Sequence, residues 1–290
     1  MAILVTYLAV LVVLYVDVGF PDSAFLALLV TSLLVAGVGF LDDHGHIPAP
    51  YRLLVHLLAA AICVYLLGGL PPVQIGNAVV DLGFTGNLLA IVFLVWFINL
   101  FNFMDGIDGI AATEAIFILG AALAIGGGES GHYFRSLQMA LVASCAGFLV
   151  WNWPPARIFM GDAGSGFLAI SLGTLAIISV EMTDLSIWTW LILAGVFVID
   201  ATVTLIRRML RGAKWYAAHR SHAYQRAARR FRSHLRVTLL VAVVNIGWLL
   251  PIAWVSVLRP EFAWWLMLVA WFPIVVLAFA WGAGLSDEYP

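Results

Sequence analysis

Apolar residues run along this chain in long blocks separated by short polar stretches. Ten blocks stand out, at about residues 2–16, 23–40, 52–70, 85–101, 109–126, 136–151, 165–182, 187–206, 237–257 and 262–283. Crossing the roughly 30 Å of hydrocarbon in a bilayer takes about 20 helical residues, and backbone groups in lipid have to be satisfied within the segment. The pattern predicts an all-α polytopic membrane protein with about ten transmembrane helices. Ten-residue alternation of the kind barrel strands need is not seen. The first block, MAILVTYLAV, has no basic stretch before it and no small-residue cleavage site after it, so it reads as a spanning helix and not a signal peptide.

Composition agrees. The 290 residues are 63% hydrophobic and 10% charged, with 12 Trp and 18 Phe, and the mean hydropathy of +1.04 lies far from soluble domains. Cys63 and Cys145 both fall inside apolar blocks, where a small buried hydrophobe is expected and a disulfide is not. No internal repeat or low-complexity tract divides the chain. Residues 1–290 read as a single integral membrane domain whose one long polar connection is the loop 207–236.

Charge sets the expected orientation. The connections after blocks 2, 4, 6 and 8 carry Arg52, Arg157 and the run Arg207, Arg208, Arg211, Lys214, Arg220, Arg226, Arg229, Arg230, Arg232, Arg236. The other connections keep only Arg135 and Arg259. The positive-inside rule turns the basic loops, and with ten helices both termini, toward the cytoplasm. The basic loop would also meet anionic lipid headgroups.

The acids gather at the same ends. Asp42 and Asp43 follow block 2, Asp105 and Asp108 follow block 4, and Asp162 follows block 6. One such acid could be a solvated helix end. Five are harder to dismiss, because ionisable groups at the membrane are costly, acids oppose the dipole at a helix C-terminus, and adjacent carboxylates such as Asp42 and Asp43 raise each other's pKa. Something cationic should compensate. In NLFNFMDGIDG, Asn99 and Asp108 would lie about 180° apart on a straight helix, so a break is expected at Gly106 and Gly109. NWPPARIFMGDAGSG places Asp162 among glycines at a helix start, where backbone N–H groups suit phosphate.

Carboxylates and asparagines without a cysteine suit a hard cation, Mg²⁺ with Mn²⁺ as a substitute. Zinc is disfavoured, since His219 and His222 lack an evident third ligand. His44, His46, His56, His132 and His234 read as loop, structural or interfacial residues. The loop AHRSHAYQRAARRFRSH gathers His219, Arg220, His222, Tyr224, Gln225 and Arg226, a set that suits a nucleotide diphosphate. Nucleic acid is a poor fit, because an RNA-binding face would need an exposed platform of aromatics interleaved with base readers, and this loop offers one Tyr pair, Tyr216 and Tyr224. Asp200 and Glu114 rank below the five clustered aspartates.

The stretches GFLDDHGHIP, NLFNFMDGIDG, NWPPARIFMGDAGSG and HRSHAYQR, in this order, closely resemble the polyprenyl-phosphate N-acetylhexosamine-1-phosphate transferases, which include WecA-like and MraY-like branches. The resemblance implies a Mg²⁺-dependent transfer of a sugar-1-phosphate from a UDP-activated amino sugar to undecaprenyl or another polyprenyl phosphate, with UMP released. The setting it implies is the bacterial inner membrane, with the active site at its cytoplasmic face, and a homodimer is compatible with it. By the same resemblance Asp162 and Asp105 hold the metal, and Asp42, Asp43, Asp105 and Asp108 are catalytic. Asn102, Asn152, His219, Arg220 and His222 bind substrate.

The MraY-like branch usually carries a lysine soon after the aspartate pair and consecutive histidines in the last motif, both absent here. The expectation therefore favours an O-antigen- or capsule-initiating enzyme over a muramoyl-pentapeptide donor. Family members also have a further N-terminal helix and a Pro-Thr-Pro-Arg-Gly-Gly-like segment ahead of the helix matching residues 2–16. Neither occurs in these 290 residues, and poor binding is expected if such a piece has been removed. The rival from another class is a cation channel or transporter. Its site would be expected near the bilayer midplane, away from these acids.

Overall fold

A computed structural model describes residues 2–127, 132–213 and 219–285, so Lys214 and Tyr216 lie outside the described residues. In chain order the helices are α1 (Ala2–Val18), α2 (Asp22–Gly45), α3 (Ala49–Leu66), α4 (Gly83–Met104), α5 (Ile110–Ile125), α6 (His132–Asn152) and α7 (Gly161–Met182). They continue with α8 (Ile187–Leu193), α9 (Gly195–Leu210), α10 (Ala223–Phe231), α11 (His234–Val244), α12 (Leu250–Leu258) and α13 (Ala263–Ala280). A π-helical turn, Asn245–Leu249, joins α11 to α12. The protein is all-α and polytopic, and each of the ten apolar blocks falls on a helix or a joined pair of helices. Among the described residues, seven helical stretches are long and apolar enough to span a membrane, or eight if the bent pair α8–α9 is one span. The helices at Ala2–Asp17 and Ile110–Ile125 are apolar but shorter.

The centre of the bundle is α7, whose most apolar window is 94% buried. It packs mainly on α2 and α4. In lipid, helices gain little from apolar burial against one another, so small residues and interhelical hydrogen bonds hold them together. Both occur here. Ser32 Oγ meets Ser171 Oγ at 3.3 Å and Cys63 Sγ meets Thr174 Oγ1 at 3.2 Å. At Gly39 of α2 a Cβ would stand 2.5 Å from the Ala163 backbone nitrogen, so only glycine lets the first turn of α7 come this close.

Two features depart from the pattern in the sequence. Block 187–206 is not one helix but α8 and α9, bent by 76° at Ala194. The indole Nε1–H of Trp271 donates to the Leu191 carbonyl at 3.0 Å, which satisfies one acceptor left open at the end of α8. A small antiparallel hairpin, β1 (Val73–Ile75) and β2 (Ala78–Val80), follows α3, with Ile75 opposite Ala78. Its two-residue turn is Gly76-Asn77, and Gly76 takes φ +61°, as a tight hairpin requires. The Trp188 indole ties the hairpin to α8 through the Gln74 carbonyl at 2.7 Å.

Candidate active site

Consecutive residues on a helix point about 100° apart, so the last turn of α2 sends Asp42 and Asp43 to different neighbours. Asp42 turns toward α3, where it takes the Ile47 N–H at 2.6 Å on Oδ1 and Arg52 Nη1 on Oδ2. Asp43 reaches the start of α7. Its Oδ1 accepts the Asp162 N–H at 2.9 Å and its Oδ2 the Ala163 N–H at 3.3 Å, so it satisfies two of the open donors of that helix. Gly161 makes this possible. Its φ is +69°, and a Cβ there would lie 2.6 Å from Asp43 Oδ2.

The side chain of Asp162, thus aimed, takes Asn102 Nδ2 on Oδ1 at 2.7 Å and Arg52 Nη1 on Oδ2 at 2.6 Å. Asn102 also reaches Ser165 Oγ at 3.2 Å. Helix α4 ends at Met104, and the N–H of its C-cap residue Asp105 bonds back to the Asn102 carbonyl at 3.2 Å. The Asp105 carboxylate accepts no hydrogen bond from a described residue. Burial, and then the Asp162 and Asp43 carboxylates, push its pKa well above the usual range. Asp42, Asp43, Asp105, Asp162 and Asn102 therefore converge from three helix ends, with Arg52 as the single cation bonded to the group among the described residues. In the sequence Arg52 marks topology alone. Its position ten residues after Asp42 was the available signal.

Asp108 lies beyond the break at Gly106. Its Oδ2 accepts the Ala156 N–H at 3.1 Å, and its Oδ1 stands 3.2 Å from Nδ1 of His234, a residue expected to be structural or interfacial. Both line an open cavity of about 1000 Å³ together with Pro154, His219, Arg220 and Gln225. Asn152 is buried beside it, with its amide used on backbone. Oδ1 accepts the Gly109 N–H at 2.9 Å and Nδ2 donates to the Ile158 carbonyl at 2.8 Å. Its amide thus fastens the start of α5 to the end of α6.

Asp200 holds the last motif in place. Its two carboxylate oxygens accept the N–H groups of Ala223 and Tyr224, each at 2.9 Å, at the start of α10. His222 is buried there, with Nδ1 3.6 Å from Asp200, so it packs inside the loop and does not line the cavity as His219 and Arg220 do. The Tyr224 hydroxyl donates to the Phe103 carbonyl at 2.8 Å, and Gly106 leaves room for it. Burial, followed by the Asp200 and Asp105 charges, raises the Tyr224 pKa well above the ordinary phenol. Burial first, then His222 and Arg208, lowers His219 to about 4. Glu114 lies apart from the cluster and is fully buried, with Oε2 2.5 Å from Asn245 Nδ2. His44 and His46 are exposed.

Among the described residues no three His, Cys, Asp or Glu side chains form a complete cation cage. The donor set still fits Mg²⁺, which usually binds one or two protein carboxylates and fills its remaining positions with water and substrate phosphate. An undonated Asp105 repelled by two other carboxylates is the electrostatic condition that a divalent ion would relieve.

A family model described as glycosyl transferase family 4 matches residues 25–180, more than half of the chain. A probable undecaprenyl-phosphate N-acetylglucosaminyl 1-phosphate transferase of Bacillus subtilis is 31% identical over 251 residues, covering 84% of this chain and 69% of that protein. The decaprenyl-phosphate N-acetylglucosaminephosphotransferase of Mycobacterium leprae is 26% identical over 277 residues, 82% of this chain and 68% of that one. A phospho-N-acetylmuramoyl-pentapeptide-transferase of Moorella thermoacetica is 39% identical over 131 residues, but these are 44% of this chain and 38% of that protein. On these matches, and on the motifs gathered at the ends of α2, α4 and α7, the chain belongs to glycosyl transferase family 4, within the polyprenyl-phosphate hexosamine-1-phosphate transferase superfamily.

Proposed function

We propose that this protein transfers a HexNAc-1-phosphate, or the phosphate of a related amino sugar, from a UDP-sugar to polyprenyl phosphate. An oxygen of the lipid phosphate attacks the phosphorus that bears the sugar, the bond from that phosphorus to UMP breaks, and a polyprenyl-diphospho-sugar forms. One observation carries the reading: four carboxylates gather at the ends of α2, α4 and α7, two of them, Asp42 and Asp162, bonded to the Arg52 guanidinium, near a cavity lined by His219, Arg220 and Gln225. Two phosphorylated reactants meeting there need just such an anchor for a divalent ion.

Asp162 and Asp105 would hold Mg²⁺, with Mn²⁺ as a substitute. The bound ion would offset repulsion between the two phosphates and stabilise charge on departing UMP. Asn102 orients the Asp162 carboxylate through its 2.7 Å hydrogen bond. Asp43 aligns the first turn of α7, Asp42 anchors Arg52, and Asp108 with His234 forms one wall of the donor cavity. The volume of about 1000 Å³ is in the range of small-molecule sites. An apolar cavity of about 210 Å³, lined among others by Leu94, Phe97, Gly173, Ile177, Trp190 and Leu191, suits the prenyl chain. Phe97 is five residues before Asn102, roughly 7 Å along α4.

By the charge asymmetry of its loops, the acid-bearing end faces the cytoplasm of a bacterial inner membrane. The motif differences from the MraY-like branch favour a UDP-HexNAc donor for an O-antigen, capsule or similar polymer over muramoyl pentapeptide. The test incubates purified protein with undecaprenyl phosphate, Mg²⁺ and a panel of UDP-amino sugars and measures UMP. Release that needs both lipid phosphate and Mg²⁺, and is lost in Asp162→Asn, is the expected result. Full turnover in Asp162→Asn would remove the metal assignment. No UMP with any donor, from this chain or one extended at its N-terminus, would remove the reaction.

A further inference from the structure

Arg52 makes a contact that the proposed reaction does not require. An arginine usually meets a carboxylate with two parallel N–H groups. Here one nitrogen, Nη1, stands between Oδ2 of Asp42 on α2 and Oδ2 of Asp162 on α7, while Nε and Nη2 bond to no described residue. A single positive centre bridging two carboxylates from separate helices has the geometry of a bridging metal ion. The carboxylate of Asp162 is also the one assigned above to the divalent ion. A static strut between α2 and α7 is not needed, because Asp43 already caps α7 and Gly39 already brings the two backbones into contact. The Arg52 side chain is one-third exposed, so it has room to swing away.

We propose that Arg52 is a displaceable counter-ion. It bridges Asp42 and Asp162 while no divalent ion is present, and yields Asp162 when one binds, so that guanidinium and metal compete for the same carboxylate. The inference rests on the assignment of Asp162 as a metal ligand. Released from Asp162 but still held by Asp42, the guanidinium presents its open N–H groups beside the ion, where an incoming phosphate has to approach. Arg52 is in this sense a positioning residue whose charge tunes ion affinity and makes vacant and loaded sites alternatives.

The test titrates Mn²⁺ into the full chain in detergent and follows the free-ion electron paramagnetic resonance signal. Arg52→Gln is expected to bind Mn²⁺ on the order of tenfold more tightly than wild type, the size of effect one neighbouring charge has on a carboxylate. Arg52→Lys keeps the charge and should stay close to wild type. A purely structural Arg52 would give the opposite sign, so unchanged or weaker Mn²⁺ binding by Arg52→Gln overturns the inference. A second measurement needs no variant. Phenylglyoxal labelling of Arg52, read by mass spectrometry, should rise when Mg²⁺ is added to wild type, and unchanged or reduced labelling again overturns it. Equal Mn²⁺ affinity in wild type and Asp162→Asn would instead sink the metal assignment itself, and this inference with it.

Discussion

Asp43 and Asp162 are 119 residues apart in the chain, yet Oδ1 of the first accepts the backbone N–H of the second at 2.9 Å. One member of the acidic pair thus serves as the N-terminal cap of the helix that carries the proposed metal ligand. The cap works through two hydrogen bonds and a favourable meeting of negative charge with the positive end of α7.

Removing the cap should separate alignment from chemistry. Asp43→Ala is expected to cost about 1–2 kcal/mol of stability, the usual worth of an N-cap, and to reduce UMP release further than that loss alone explains. Asp43→Asn retains one side-chain oxygen as acceptor and should recover most of the melting temperature. Thermal melting in detergent beside a UMP assay reads both. If Asp43→Ala melted like wild type, the cap would not be what aligns α7.

Gly39 tests the same junction from the other side. A methyl group there would press on backbone, at 2.5 Å from the Ala163 nitrogen and 2.6 Å from the Asp162 carbonyl, which cannot rotate away. Gly39→Ala should therefore push α2 off α7, at about 1–3 kcal/mol for overpacking, and separate Asp43 from the N–H groups it caps. The neighbouring Gly37 has open space around it, so Gly37→Ala is the control and should leave melting and turnover near wild type. Equal effects of the two substitutions would argue against a close approach at Gly39.

What could be read from the sequence was chemistry that repeats locally. The apolar blocks located the helices, and acids at block ends located Asp42, Asp105 and Asp162, because a charge beside lipid needs a reason. Pairings across long stretches of chain were invisible. Nothing near Arg52 says that it meets Asp162, 110 residues away, or that His234 will stand beside Asp108. The bend at Ala194 lies in an unbroken apolar run, ILAGVFVI, and depends on Trp271 reaching back to Leu191 from another helix. The hairpin is a different case. Gly76-Asn77 between short β-branched runs is a recognisable turn signal set inside a pattern that is otherwise helical.

Glu114 and Asn245 form a polar pair inside the bundle. Both are fully buried, and Glu114 Oε1 and Asn245 Oδ1 find no partner among the described residues. Asn245 opens the π-helical turn between α11 and α12, so the pair pins an irregular turn against α5. Asn245→Ala should destabilise by about 2 kcal/mol, since a hydrogen bond to a buried acid is lost and the acid is left unanswered. Replacing both residues, Glu114→Leu with Asn245→Leu, should recover much of that loss, because the buried polar cost disappears with them. Additive losses in a double-mutant cycle would show that the two side chains do not act as a pair.

His219 supplies a pH test. Burial, and then the His222 and Arg208 charges, depress its pKa from 6.5 to about 4 in the folded protein. Between pH 6.5 and 4 the unfolded chain therefore binds a proton that the folded chain refuses. The contribution of this ring is complete above about pH 6.5, declines as pH falls toward 4, and levels off below. The difference in melting temperature between wild type and His219→Asn should accordingly shrink, in favour of the variant, as pH drops from 7 to 4.5. At pH 7 the ring is neutral, so it would meet a UDP phosphate as a hydrogen-bond partner and not as a cation. UDP placed beside the ring raises its pKa above about 4, so UDP affinity of wild type should strengthen as pH falls toward 4, while His219→Asn lacks that added slope. Parallel melting and affinity curves for the two proteins across this range would mean that His219 does not titrate as its surroundings dictate.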